Sequence, residues 1–211
     1  MGELNRMGIE DVRVIWSFPT PYKRFVLSKI PHIHCLEEKP GYWGCTIAHY
    51  EAVKTAYHLG LNRVLIVEDD CRFLKDTSKV WANLRLAPKS ADVVLLDHIK
   101  EIGRRDLPEG VPFFSCSKSF STACYIVNRK AMERLIAMYE SPVSGKYRKP
   151  LMRACDHFTD NSYLGRDIAI CCASPLLAIQ CDCGDATNTG GNYIFEAYAK
   201  DSVDFGEYQP W

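Results

Sequence analysis

Apolar and polar positions change period several times along the chain, and each change marks an element. Positions 12 to 16, from Val12 to Trp16, are apolar and β-branched, and Thr20 with Pro21 offers an N-cap followed by a helical first-turn proline. A strand therefore runs into a helix, on which Tyr22, Phe25, Val26 and Ile30 keep a helical spacing until Pro31. His32 to Leu36 returns as a short strand. From Gly44 to Leu59, Cys45, Ala48, His49, Ala52, Val53, Ala56 and Leu59 lie on one helical face, with Glu51, Lys54, Thr55 and His58 opposite and Gly60 as the stop.

Arg63 to Val67 is an unbroken apolar run of the kind that is buried on both faces of a sheet, and it ends abruptly in Glu68, Asp69 and Asp70. A helix follows around Val80, Trp81 and Leu84, then strands at Val93 to Leu96 and Ala123 to Val127. Asn128 caps a helix carrying Met132, Leu135, Ile136 and Tyr139, and Ile168 to Cys172 reads as another buried strand. This alternation predicts an α/β layer with a mostly parallel central sheet flanked by helices, Rossmann-like in plan, whose ligands gather at the carboxyl ends of strands. One domain is expected over residues 1 to 211, with residues 184 to 211 as a tail rich in Gly, Asn, Thr and aromatic residues.

Composition narrows the function classes. With 26 basic and 26 acidic residues the formal net charge is zero, so no global field draws nucleic acid or an anionic membrane, and a ligand must be held by a local site. No apolar run approaches the ~20 residues of a membrane span, and residues 1 to 20 do not resemble a signal peptide, so a cytoplasmic protein is expected. The ten cysteines then read as reduced thiols. Cys171, Cys172, Cys181 and Cys183 lie close together, but the adjacency of the first two argues against a zinc cage and for buried or loop thiols.

The acidic triplet is the main chemical signal. Two like charges ~4 Å apart repel by roughly 4 kcal/mol at an effective dielectric of 20, so three consecutive carboxylates need compensation. Mg²⁺ or Mn²⁺ supplies it, taking one or two carboxylates and sharing its other positions among water and substrate phosphates. Alternation leaving a strand sets Glu68 and Asp70 toward one ligand and Asp69 toward another. A solvated acidic turn with Arg72 and Lys75 as neighbours is the competing reading.

In order and spacing, Gly44-Cys45 and Ala48-His49, Leu61 to Val67, and Glu68-Asp69-Asp70 resemble glycosyltransferase family 25, which includes bacterial lipooligosaccharide galactosyltransferases and collagen galactosyltransferases. Ala48 stands where that family has Ser. Farther on, Asp92 to Leu96, Thr122 with Tyr125, Asn128 to Lys130, Cys155-Asp156-His157, and Ser174-Pro175 to Gln180 resemble its later segments, so the likeness spans about residues 41 to 180. The opening departs from the family, with Trp16 to Phe18 and Tyr22 to Arg24 in place of Asn-Leu-Asp and an Arg-rich turn, which makes residues 1 to 40 a shortened donor-binding segment.

The resemblance implies a type A glycosyltransferase fold and metal-dependent, inverting transfer of a hexose, galactose or glucose, from a UDP-sugar to a carbohydrate or glycosylated acceptor. It implies Mn²⁺ or Mg²⁺ at Glu68 and Asp70, with Asp69, Thr122 and Gln180 at the donor. Inversion needs a base on the acceptor hydroxyl, and Asp156 is the candidate, with a helix cap as its alternative role. His157 is a third metal ligand or a polar surface residue. Lys23 and Arg24 approach the diphosphate or form a solvated face. His49 lines the donor pocket or is a hydrogen-bonded core residue, and Tyr42, Trp43 and Tyr50 stack on a ligand or pack. Two other functions fit the same residues: a catalytically inactive nucleotide-sugar-binding protein, and a metal-dependent phosphoester hydrolase in which Asp97-His98 and Asp156-His157 complete a two-metal site.

Overall fold

The computed structural model describes residues 40–74, 77–140 and 165–180. In chain order these form α1 (Pro40–His58), β1 (Arg63–Val67), β2 (Cys71–Phe73), α2 (Thr77–Arg85), β3 (Val93–Leu95), β4 (Ile99–Ile102), β5 (Arg105–Asp106), β6 (Phe113–Cys116), β7 (Lys118–Phe120), β8 (Cys124–Asn128), α3 (Arg129–Glu140), β9 (Ile170–Ala173) and β10 (Ala178–Gln180).

The long first helix starts earlier than its apolar stripe suggests, because Pro40 is tolerated in a first turn, where its missing N–H has no partner to lose. It stops at Gly60, whose φ of 74° is left-handed. There the Leu61 N–H reaches Ala56 O at 3.1 Å and the Gly60 N–H reaches Tyr57 O at 3.0 Å, the paired bonds of a Schellman cap. Asn128 begins α3 as expected, its Oδ1 accepting from the Ala131 N–H at 3.0 Å.

Among the described residues six strands make one sheet in the order β1-β8-β3-β9-β6-β5. The pairing corrects the expectation of a mostly parallel sheet. Only β3 and β9 run parallel; β1 with β8, β8 with β3, β9 with β6 and β6 with β5 are antiparallel. What holds is mixed α/β content. The error has a physical source: an apolar run reads the same in either direction, and with β8 inserted between β1 and β3, β1 ends the strand order with only Ile66 buried, rather than being buried on both faces.

Alternation along the central strands sends side chains to two cores. Val93, Leu95, Tyr125, Val127, Ile170 and Cys172 pack under α1 and α3. Val94, Leu96, Cys124, Cys171 and Ala173 pack on the other face against Val80 of α2 and against the β2–β10 ribbon. Tyr50, one of the proposed stacking aromatics, is buried in the first core and donates its hydroxyl to Glu140 at 2.6 Å, so it packs.

Because β1 and β3 are both antiparallel to β8, they run the same way, and their carboxyl ends share one sheet edge with the start of β8. A second two-stranded ribbon, β4 with β7, flanks the connection from β3 to β8, with β5 and β6 of the main sheet between its two strands in sequence. The candidate chemistry collects at that shared edge.

Candidate functional site

Glu68 follows the last residue of β1 and is tied to the start of β8, its N–H donating to Ala123 O at 2.8 Å. The chain then turns tightly, with the Cys71 N–H returning to Glu68 O at 3.2 Å. This turn, rather than strand alternation, separates the three carboxylates: Glu68 and Asp70 are partly buried on one side, while Asp69 is exposed at the corner.

Gln180 closes the pair. In the β2–β10 ribbon it lies opposite Cys71, next to Asp70. Its Nε2 donates to Asp70 Oδ2 at 2.9 Å and, more weakly, to Glu68 Oε2 at 3.5 Å. Thr122, just before β8, donates its hydroxyl to Glu68 Oε1 at 3.3 Å. Four residues separated by up to 112 positions in sequence thus meet at one edge.

Behind Glu68 stands His49. It is buried, with Nε2 2.9 Å from Glu68 Oε1 and Nδ1 2.9 Å from the Tyr125 hydroxyl. An ionised carboxylate only accepts, so Nε2 carries the proton; a neutral ring then accepts from Tyr125 at Nδ1. The rings of His49 and Tyr125 are stacked with centroids 5.6 Å apart. His49 is therefore both a hydrogen-bonded core residue and a support for the acidic site.

The electrostatics leave one atom unsatisfied. Asp70 Oδ1 is buried without a hydrogen-bond partner. Burial first, and then repulsion from Glu68 with a smaller push from Asp69, raises the Asp70 carboxyl to about 6, against the opposing pull of the Gln180 amide. An enclosed, repelled carboxylate oxygen beside a second carboxylate suits a hard cation that needs only one or two protein oxygens. Among the described residues no group of three or more His, Cys, Asp or Glu side chains forms a metal cage. Glu68 and Asp70 are the pair that fits, and they fit an ion completed by a ligand's oxygens.

Asp97 and His98, after β3, behave differently from each other. His98 has both nitrogens engaged, Nδ1 with Glu101 and Nε2 with Ala173 O at 2.7 Å. Asp97 is fully buried and accepts a hydrogen bond from the Ser121 hydroxyl. Sequence reasoning left Tyr125 and Ser121 out of the site. A signal existed, since Asp97 follows an apolar strand as Glu68 does and Ser121-Thr122 are two hydroxyls at the start of the strand between them.

Lys23, Arg24, Asp156 and His157 lie outside the described residues. Cys71, Cys116, Cys124, Cys171 and Cys172 are free and buried, and the Cys116 and Cys172 sulfurs are 3.5 Å apart. Cys171 and Cys172 occupy β9 as an apolar strand, and Cys181 and Cys183 lie outside the described residues. No helix among the described residues is long and apolar enough to cross a membrane.

Comparison with protein-family models finds no match for this chain. No curated protein matches it either. The likeness to glycosyltransferase family 25 rests on the ordered residues themselves.

Proposed function

We propose that this protein is a metal-dependent glycosyltransferase of the type A fold that transfers a hexose, galactose or glucose, from a UDP-sugar to a carbohydrate or glycosylated acceptor, with inversion. The observation that carries the reading is the Glu68–Asp70 pair at the carboxyl end of β1, with Asp70 Oδ1 buried and unpaired. Ligand sites of α/β proteins favour strand carboxyl ends, and this pair has the chemistry of a Mn²⁺ or Mg²⁺ site completed by phosphate oxygens.

In this reading Glu68 and Asp70 hold the cation, which when bound offsets the negative charge growing on the departing diphosphate. Gln180 and Thr122 orient the two carboxylates, and His49, held by Tyr125, keeps Glu68 in place from behind. Asp69, exposed at the turn, is assigned to donor binding, and on the sequence alone Lys23 and Arg24 are assigned to it as well. Asp156 takes the acceptor proton, and His157 is a candidate further ligand. The phosphoester hydrolase reading is weakened by His98, whose two nitrogens are already bonded away from the acidic pair.

Calorimetric titration with UDP-glucose and UDP-galactose, with and without Mn²⁺, tests the proposal, followed by assay for sugar transfer or slow donor hydrolysis. Binding should require Mn²⁺ and vanish in Asp70→Asn. Unchanged Mn²⁺ dependence in that variant would remove Asp70 from the metal site. Metal-dependent donor binding without turnover of any donor would instead favour a nucleotide-sugar-binding protein.

A further inference from the structure

We infer that Ser121 contacts the ligand and accepts a hydrogen bond from a sugar hydroxyl of the donor, its own proton being committed to the buried carboxylate of Asp97. The inference rests on the donor-site reading of the Glu68–Asp70 edge and adds a residue and a specificity to it.

The argument starts from the two strands that flank β8. Asp97 stands beyond the end of β3 and Glu68 beyond the end of β1, and the Ser121-Thr122 pair lies before the strand between them. Each hydroxyl serves one flank: Ser121 Oγ donates to Asp97 Oδ2, and Thr122 Oγ1 donates to Glu68 Oε1 at 3.3 Å. Asp97 is 0% exposed and Thr122 5%, whereas Ser121 is half-buried.

Ser121 has a φ of 76°, in the left-handed region that serine rarely occupies. Such a conformation persists where surrounding contacts over-determine it, and it is concentrated at functional sites. Here it lets two successive side chains serve carboxylates on opposite flanks.

The hydroxyl chemistry decides what Ser121 recognises. A hydroxyl has one proton and two lone pairs, and a carboxylate can only accept. With the proton given to Asp97, Ser121 presents lone pairs, one of them turned weakly toward the Ala123 N–H at 3.5 Å. It cannot also donate to a phosphate oxygen, which is itself an acceptor. The complementary group is a hydroxyl, from either the hexose or the ribose of the donor.

The test is a set of calorimetric titrations with Mn²⁺ and three probes: UDP-galactose or UDP-glucose, UDP, and inorganic pyrophosphate, which has no hydroxyl group on carbon. Ser121→Ala and Ser121→Gly should agree, the glycine variant removing the hydroxyl while relieving the backbone. Both should weaken UDP-sugar binding roughly 3- to 15-fold, the worth of one hydrogen bond, and leave pyrophosphate unchanged. Loss confined to the UDP-sugar assigns the contact to the hexose, and loss shared with UDP assigns it to the ribose. With wild-type binding intact, an equal loss for all three probes, or a loss for none, overturns this assignment alone. Failure of the wild-type protein to bind any of the probes overturns the donor-site reading and the assignment together.

Discussion

The side-chain amide of Gln180 lies 2.9 Å from Asp70 Oδ2 and joins the ribbon strand β10 to the acidic turn after β1. Without a cation, this bond is the largest relief for an otherwise repelled carboxylate, since Asp70 Oδ1 is buried without a hydrogen-bond partner. Asp70 has a folded pKa of about 6 against an ordinary 3.8. The folded state therefore holds the proton more tightly than the unfolded chain, and the stability this provides is complete below pH ~4 and lost as pH rises through ~6. At neutral pH the ionised group opposes folding by on the order of 1–2 kcal/mol after allowance for partial solvent exposure. Metal-free Asp70→Asn should match or exceed the wild type in thermal stability at pH 7, with the difference closing near pH 4. A variant equally destabilised at both pH values would show that the native carboxylate is not repelled.

Tyr125 is fully buried, and its hydroxyl holds His49, which in turn holds Glu68. Tyr125→Phe keeps the ring and removes that bond, so it should cost about 1–2 kcal/mol, seen as a lower urea midpoint with unchanged slope. An unaltered midpoint would mean that the His49 contact contributes nothing to the folded state.

Cys71, Cys116, Cys124, Cys171 and Cys172 are buried, and burial pushes the Cys171 thiol up to about 11, so little thiolate is present at pH 8. A thiol reagent should therefore spare these five in the native protein and count all ten after denaturation, without prior reduction. Fewer than ten in protein kept from air would reveal disulfides and contradict the reduced state expected of the chain.

Asp156, proposed as the base, separates metal binding from proton transfer. Asp156→Asn should leave donor and Mn²⁺ affinity almost intact while transfer falls by ~10² to 10⁴, the usual worth of a positioned general base. The rate profile should also lose its acidic limb. A drop in donor affinity as large as the drop in rate would move Asp156 to the donor side, and full activity would leave it a structural residue.

Element types and buried faces were legible in local pattern. On α1 His49, Val53 and Ala56 are buried as the stripe predicts while Leu59 at its end is exposed, and the Gly60 stop, the Asn128 cap and the strands at Arg63–Val67 and Ile170–Ala173 reappear, because side-chain direction repeats with the backbone period whatever the neighbours are. The same local chemistry marked Glu68 and Asp70, since consecutive carboxylates after an apolar strand need a partner wherever that strand lies. Strand order and direction were not legible. The insertion of β8 between β1 and β3 depends on backbone bonding between segments roughly thirty and sixty residues apart, and an apolar run carries no record of it. That insertion sets Ser121 and Thr122 between Asp97 and Glu68, and the β2–β10 register sets Gln180 beside Asp70. Polar partners far apart in the chain meet only when the sheet is assembled, so residue chemistry marked the carboxylates and folding chose what surrounds them.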